Sequence, residues 1–407
     1  MQYHELFALF GDRINYAGAG VDCGNGLVLR NFDFHSKVRF PAPSLETSVN
    51  TALPASVIED MSGNEGVYSL INTTDAEIEE NLHFRYQVML PSSSGRARGI
   101  VLMLHGFNEK HWLKYLPWAA HIALNTGKAV VMFPIAFHMN RAPAAWSEAR
   151  SMHRLSKERK GLYPDLIGNS LSNVAISTRL HNKPERFIWS GLESYHDLLD
   201  LIEIIKRGEH ASIAPEASVD FFSYSIGTLL MEIAVMTNKN GYFSQSRCVA
   251  FCGGPVFNRL SPVSKFILDS EANVRLYSYL VEHLDSHMKS DSQLKRLLTA
   301  EEEGVNFRSL LNYRVKLDYR EEKLRSLRDR FYAVALARDE VVPPYEVINT
   351  LQGSRKDMGI RVDVLDYPYP YRHEEPFPSG IYGRASLIGE IDRQFRRTFE
   401  PISAFLA

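Results

Sequence analysis

Short apolar runs, spaced by stretches of helical periodicity, constrain this chain more than any other feature. Gly99–Leu104, Ala129–Phe133, Cys248–Cys252 and Phe331–Leu336 carry no charge, and Val219, Phe221 and Phe222 form a similar run. Such runs are the length of strands and read as strands covered on both faces. Phe84–Leu90 alternates and closes at Pro91–Gly95, and Val362–Leu365 adds another short strand. Between them lie helical patterns over Trp112–Leu124, over Tyr195, Leu198, Leu199, Ile202 and Ile205, over Leu229–Val235, and over Leu387–Phe399. Ser190 and Glu193 have the spacing of a capping box, which predicts a helix start at Ser190. Strands alternating with helices imply an α/β fold, a mostly parallel sheet with helices on both faces. Ligands of such sheets bind at the carboxyl ends of the strands.

With 407 residues the chain is long enough for a large core with insertions. Residues 1–75 read as an N-terminal extension packed on the core, punctuated by Asn25-Gly26, Pro41-Ala42-Pro43 and Ser62-Gly63. The core is expected over 76–255 and 329–407. Residues 138–185 fit no simple element and form a long insertion, and 256–328 form a helical lid or cap. A net charge of −2, with 23% charged and 45% hydrophobic residues, provides no pull toward nucleic acid or an anionic membrane. The cysteines are Cys23, Cys248 and Cys252. The last two are separated by four residues of strand, about 13 Å, too far for a disulfide. The start, Met1 to Phe7, lacks the basic and apolar segments of a signal peptide, and no run has the length of a membrane span, so a cytoplasmic location is expected. No G-x-G-x-x-G or Walker loop is present. His283 and His287 have i, i+4 spacing, but Leu284 stands where an HExxH glutamate belongs. No cofactor and no metal are expected, and the sequence sets no oligomeric state.

The stretch Ser223-Tyr224-Ser225-Ile226-Gly227 joins a strand pattern to a helix pattern. A serine at a sharp strand-to-helix turn has its hydroxyl lifted clear of the sheet, beside the free amides of the helix start. Small residues two before and two after let that turn close. This resembles the nucleophile elbow of the α/β-hydrolase superfamily, with Ser223 where glycine is usual.

A serine hydroxyl needs a base, and the base needs a group to orient it. Asp339 follows the strand Phe331–Leu336 and His373 follows Val362–Leu365, so the chain order is Ser225, Asp339, His373. That is the order of α/β-hydrolases. Glu340, Asp363 and Asp366 are rival partners for the histidine. The resemblance implies an oxyanion hole from the amides of Ile226 and of Phe107, in the loop His105-Gly106-Phe107-Asn108 after Gly99–Leu104. Tyr224, His105, Gly106, Asn108, His138 and Arg141 are expected around the site, with Arg141 either binding a substrate carboxylate or phosphate or acting as a structural arginine. The resemblance covers about 80–255 and 329–400. It implies a serine hydrolase acting on an ester, or on an amide or thioester, with a small acyl compound as substrate. An acyltransferase on the same site and a non-catalytic binding protein are the alternatives.

Overall fold

The computed structural model describes residues 2–11, 20–24, 26–41, 71, 73–92, 95–379 and 385–407. Of the early turn signals, Asn25, Ala42-Pro43 and Ser62-Gly63 lie outside the described residues. Among the described residues, nine strands form one sheet: β1 (Gly20–Gly24), β2 (Leu27–His35), β3 (His83–Pro91), β4 (Ala97–Leu104), β5 (Ala129–Met132), β6 (Ile213–Tyr224), β7 (Cys248–Phe251), β8 (Phe331–Leu336) and β9 (Arg361–Leu365). Their order is β1-β2-β3-β5-β4-β6-β7-β8-β9. β1, β2, β3 and β5 pair antiparallel, and the sheet from β5 through β4 to β9 is parallel. Gly20–Gly24 and Leu27–His35 therefore extend the sheet itself.

The apolar runs are continuous because each strand is buried on both sides. Along β4, Ile100, Leu102 and Leu104 enter one core, while Val101 and Met103 enter the other. The second core is covered by α1 (Tyr3–Gly11), α2 (Leu116–Thr126) and a long C-terminal helix, Ala385–Leu406. The first is covered by α3 (Arg186–Lys206), α4 (Gly227–Thr237) and the helices of residues 270–325, among them α5 (Glu302–Leu311). Helices on both faces of a mostly parallel sheet in this strand order make the α/β-hydrolase fold. The chain leaves β4 for β5 on one side and returns to β6 on the other. The carboxyl ends of β4 and β6 thus flank the crevice where ligands bind in open α/β sheets.

Two local expectations are corrected. α3 begins at Arg186, so Ser190 sits inside the helix rather than at its cap. Its hydroxyl donates back to Phe187 O (3.2 Å), and Glu193 is turned inward to Arg141. Residues 138–185, which fit no simple element in sequence, contain helices Ala149–Leu162 and Val174–Asn182. The first was illegible because it buries only Met152, Leu155 and Arg159, too narrow a stripe to show as a helical period. Among the described residues, no helix is long and apolar enough to cross a membrane.

Candidate active site

β6 ends at Tyr224 and α4 starts at Gly227, leaving two residues to turn the chain. Ser225 takes a φ of 56°, a left-handed conformation that costs a non-glycine residue on the order of 1–3 kcal/mol. The turn is held by the Ser225 amide, which donates to Phe251 O at 3.1 Å. Gly227 is required by close approach: a Cβ there would stand 2.7 Å from Leu104 O and 2.8 Å from His105 O. Position 223 has no such limit. Ser223 is buried with its hydroxyl on Val249 O (2.9 Å) and beside Thr228 Oγ1 (3.1 Å), so a serine fits where glycine is usual.

His373 Nε2 lies 2.7 Å from Ser225 Oγ, and its Nδ1 lies 2.7 Å from Asp339 Oδ2. Facing a carboxylate, Nδ1 carries the hydrogen, so Nε2 presents its lone pair to the serine. Asp339 Oδ1 accepts the amides of Val341 (2.9 Å) and Val342 (2.8 Å), which fixes the carboxylate after β8. Both Asp339 and His373 are buried. The rivals lie elsewhere: Glu340 is exposed, Asp363 pairs with Arg361 and Tyr332, and Asp366 pairs with Arg338. The Tyr224 ring stacks on His373 at 5.4 Å and its hydroxyl bonds the His373 carbonyl, pinning the loop that carries the imidazole.

Among the described residues, the amides of Phe107 and Ile226 have no intrachain acceptor. The loop bearing Phe107 is braced from several sides. The Gly106 amide donates to Tyr115 Oη (2.9 Å), whose hydroxyl in turn donates to Glu109 Oε1 (3.0 Å). His105 Nδ1 donates to Gly106 O (2.8 Å) and its Nε2 accepts the Ile135 amide (2.9 Å). Burial holds this imidazole well below its usual pKa, so it is neutral and structural. Asn108, at a φ of 58°, donates to Ser172 O (2.9 Å) and Phe266 O (2.6 Å), tying the loop to both insertions. Tyr115 was missed by sequence reasoning. It reads as one more apolar position of a helix, and nothing marks its hydroxyl as the anchor of Gly106.

An apolar cavity of about 40 Å³ opens beside Phe107 and Ile226, lined also by His138, Phe187, Leu230, Ile233 and Phe307. Phe187 and Phe307 were not foreseen; they come from α3 and α5 and line it. His138 belongs to this wall, its Nδ1 donating to Ala136 O (2.8 Å) and its pKa lowered to about 4 by burial. A second, charged cleft of about 460 Å³ is also lined by Phe107.

Arg141 is not in either space. It is fully buried and bonded to Glu193 (3.0 Å), Asp197 (2.7 Å), Asn81 Oδ1 (3.0 Å) and Pro134 O (3.2 Å). The expectation that it binds a substrate anion is overturned, because the guanidinium is fully buried away from both spaces and each of its nitrogens already has an acceptor within the protein. His283 is exposed and His287 Nδ1 bonds Tyr279 Oη (2.7 Å). Among the described residues, no three His, Cys, Asp or Glu side chains converge in a group able to hold a metal ion.

The fold class is thus that of the α/β-hydrolases. A family model described as "Family of unknown function (DUF6051)" matches residues 1–407, and the chain belongs to that family. No curated protein sequence matches it. Solved structures similar to it include a thermostable esterase from Pseudomonas putida (8% identity, covering 80% of this chain and 80% of that one, TM-score 0.41). Another is carboxyl esterase 2 from Tuber melanosporum (12% identity, 80% and 82%, TM-score 0.40). A third is an acylaminoacyl peptidase from Pyrococcus horikoshii (14% identity, 78% and 39%, TM-score 0.36).

Proposed function

We propose that this protein is a serine hydrolase that cleaves a carboxylic ester of a small acyl compound through an acyl-enzyme. The observation that carries the reading is the unbroken line from Asp339 through His373 to Ser225, with 2.7 Å at each junction. Ser225 Oγ gives its proton to His373 Nε2 as it attacks the ester carbonyl. Asp339 holds the imidazole in the required tautomer and stabilises the imidazolium that forms. The resulting oxyanion is received by the amides of Phe107 and Ile226, an arrangement that supplies the largest share of such rate enhancements. Collapse expels the alkoxide, which takes the proton from Nε2. Water, deprotonated by the same nitrogen, then attacks the acyl-enzyme carbonyl and frees the acid.

The cavity beside Phe107 and Ile226 is where the acyl group would sit. At about 40 Å³, against roughly 10–15 Å³ for one water on that scale, it suits a short apolar acyl chain. The helical insertion roofs the site as a lid, since Phe307 walls the acyl cavity and Phe257 and Leu260 face the space beside Ser225. The test is labelling with a fluorophosphonate probe. Wild-type protein is expected to be labelled at Ser225, and Ser225→Ala is expected to lose the label together with essentially all ester turnover. Undiminished labelling of the variant rejects Ser225 as the nucleophile.

A further inference from the structure

The charged cleft at Phe107 contains two cations that, among the described residues, make no hydrogen bond or ion pair. It is lined by Phe107, Lys110, Lys114, Arg372, Glu374 and Glu375, among others, and it meets the acyl cavity at Phe107, which lines both. The cleft's carboxylates are already engaged. Glu109 pairs with Lys114, Glu374 Oε1 accepts the Ser264 hydroxyl (2.6 Å), and Glu375 Oε1 accepts the Ser379 amide (3.3 Å). Lys114 also donates to Glu374 O (2.9 Å). Lys110 and Arg372 differ: Lys110 is partly buried and Arg372 exposed, and among the described residues neither side chain has a hydrogen-bond or ion-pair partner.

A cation drawn out of water without a hydrogen-bonded partner, as Lys110 is, is costly, and a ligand of opposite charge offsets that cost; the exposed Arg372 is free to reach the same ligand from the cleft's edge. Burial pushes the Lys110 ammonium down to about 8, so it is still charged at neutral pH, and its charge is felt at His138 in the wall of the acyl cavity. Arg372 directly precedes His373, which holds its backbone beside the reacting serine. Phe107 lines both the apolar cavity and the cleft, so an ester whose acyl group fills the cavity can place its alcohol half in the cleft. We infer that this alcohol half carries an anionic group, a carboxylate or a phosphate monoester, received by Lys110 and Arg372. This inference rests on the ester-hydrolase reading.

The experiment compares three esters of one acyl group, differing only in the alcohol: 4-acetoxybenzoate, 4-acetoxyphenyl phosphate and the neutral 4-acetoxybenzamide. Wild-type protein is expected to prefer one of the anionic esters over the amide by at least about tenfold in kcat/KM, as charge-assisted pairs to Lys and Arg imply. Which anionic ester leads distinguishes carboxylate from phosphate. Lys110→Gln and Arg372→Gln are each expected to reduce that preference, and the double variant to erase it. Equal turnover of all three by wild type, or a preference that survives the double variant, overturns the inference and leaves the hydrolase reading standing. If none is turned over, the hydrolase reading fails and the cleft is judged by calorimetry with 4-hydroxybenzoate, phenyl phosphate and 4-hydroxybenzamide. An anion bound at least about tenfold tighter than the amide, and lost in the double variant, sustains it. Indifference to charge ends it.

Discussion

Two buried polar clusters, each gathered from distant parts of the chain, do opposite things here. Around Arg141, a guanidinium from the loop after β5 meets Asn81, Glu193, Asp197 and the Pro134 carbonyl. Each nitrogen has an acceptor, and the Phe84 ring covers the guanidinium face at 4.1 Å. Around Ser225, the carboxylate and imidazole are equally buried, but the chain ends on a hydroxyl, and two amides beside it have no acceptor among the described residues. Burial and charge are common to both. The difference is unmet hydrogen-bonding capacity at the edge of a cavity, and that marks the second cluster as the place where a foreign atom fits. The same criterion singles out the partly buried Lys110 in the neighbouring cleft and removes Arg141 from the list of ligand-binding residues.

If that contrast is right, the two clusters respond oppositely to mutation. Asp339→Asn is expected to lower ester turnover by on the order of 10⁴-fold, because the amide no longer holds the tautomer that leaves Nε2 bare. Its denaturation midpoint should move little, since Oδ1 still accepts from Val341 and Val342. Arg141→Met reverses the pattern. It strands two carboxylates and the Pro134 carbonyl in the interior, and is expected to cost about 3–5 kcal/mol in chemical denaturation. Whatever folds should still label with a fluorophosphonate. A stable Arg141→Met protein that no longer labels, or an active but unstable Asp339→Asn protein, breaks the comparison.

The parallel strands and Ser225, Asp339 and His373 were legible because each is announced locally. The strands are continuous apolar runs buried on both faces. The three polar residues fall just past strand ends, in an order that a single sheet topology brings together. What stayed hidden depends on direction and on long-range contact. Arg141 is charged and lies just past a strand end too, but sequence does not show that Glu193 and Asp197, about one and two helical turns along α3 from Ser190, point back at it. Ser190 and Glu193 imitated a capping box because spacing cannot report that a helix started at Arg186, one turn earlier. Phe187, Phe307 and Tyr115 looked like ordinary core positions. Only the fold reveals that the first two line the apolar cavity and that the third braces the loop bearing Phe107.

The finest test of the closed cluster is its charge balance. One guanidinium faces two carboxylates, and Asp197 makes the shorter contact, 2.7 Å against 3.0 Å for Glu193. Desolvation, only partly offset by Arg141 and joined by the Asp197 charge, raises Glu193 from 4.5 to about 8, so near neutrality it keeps its proton and the cluster is electrically even. The folded protein therefore binds a proton there that the unfolded chain releases above about 4.5. Stability from this group is full below that value, falls as pH rises, and levels off above about 8. Glu193→Gln copies the neutral form at every pH and has no such slope. The difference in unfolding free energy, wild type minus variant, is expected to decline across that window and then flatten. A difference that stays constant, or that grows with pH, means that Glu193 is ionised beside Arg141 and that the closed cluster holds a net negative charge.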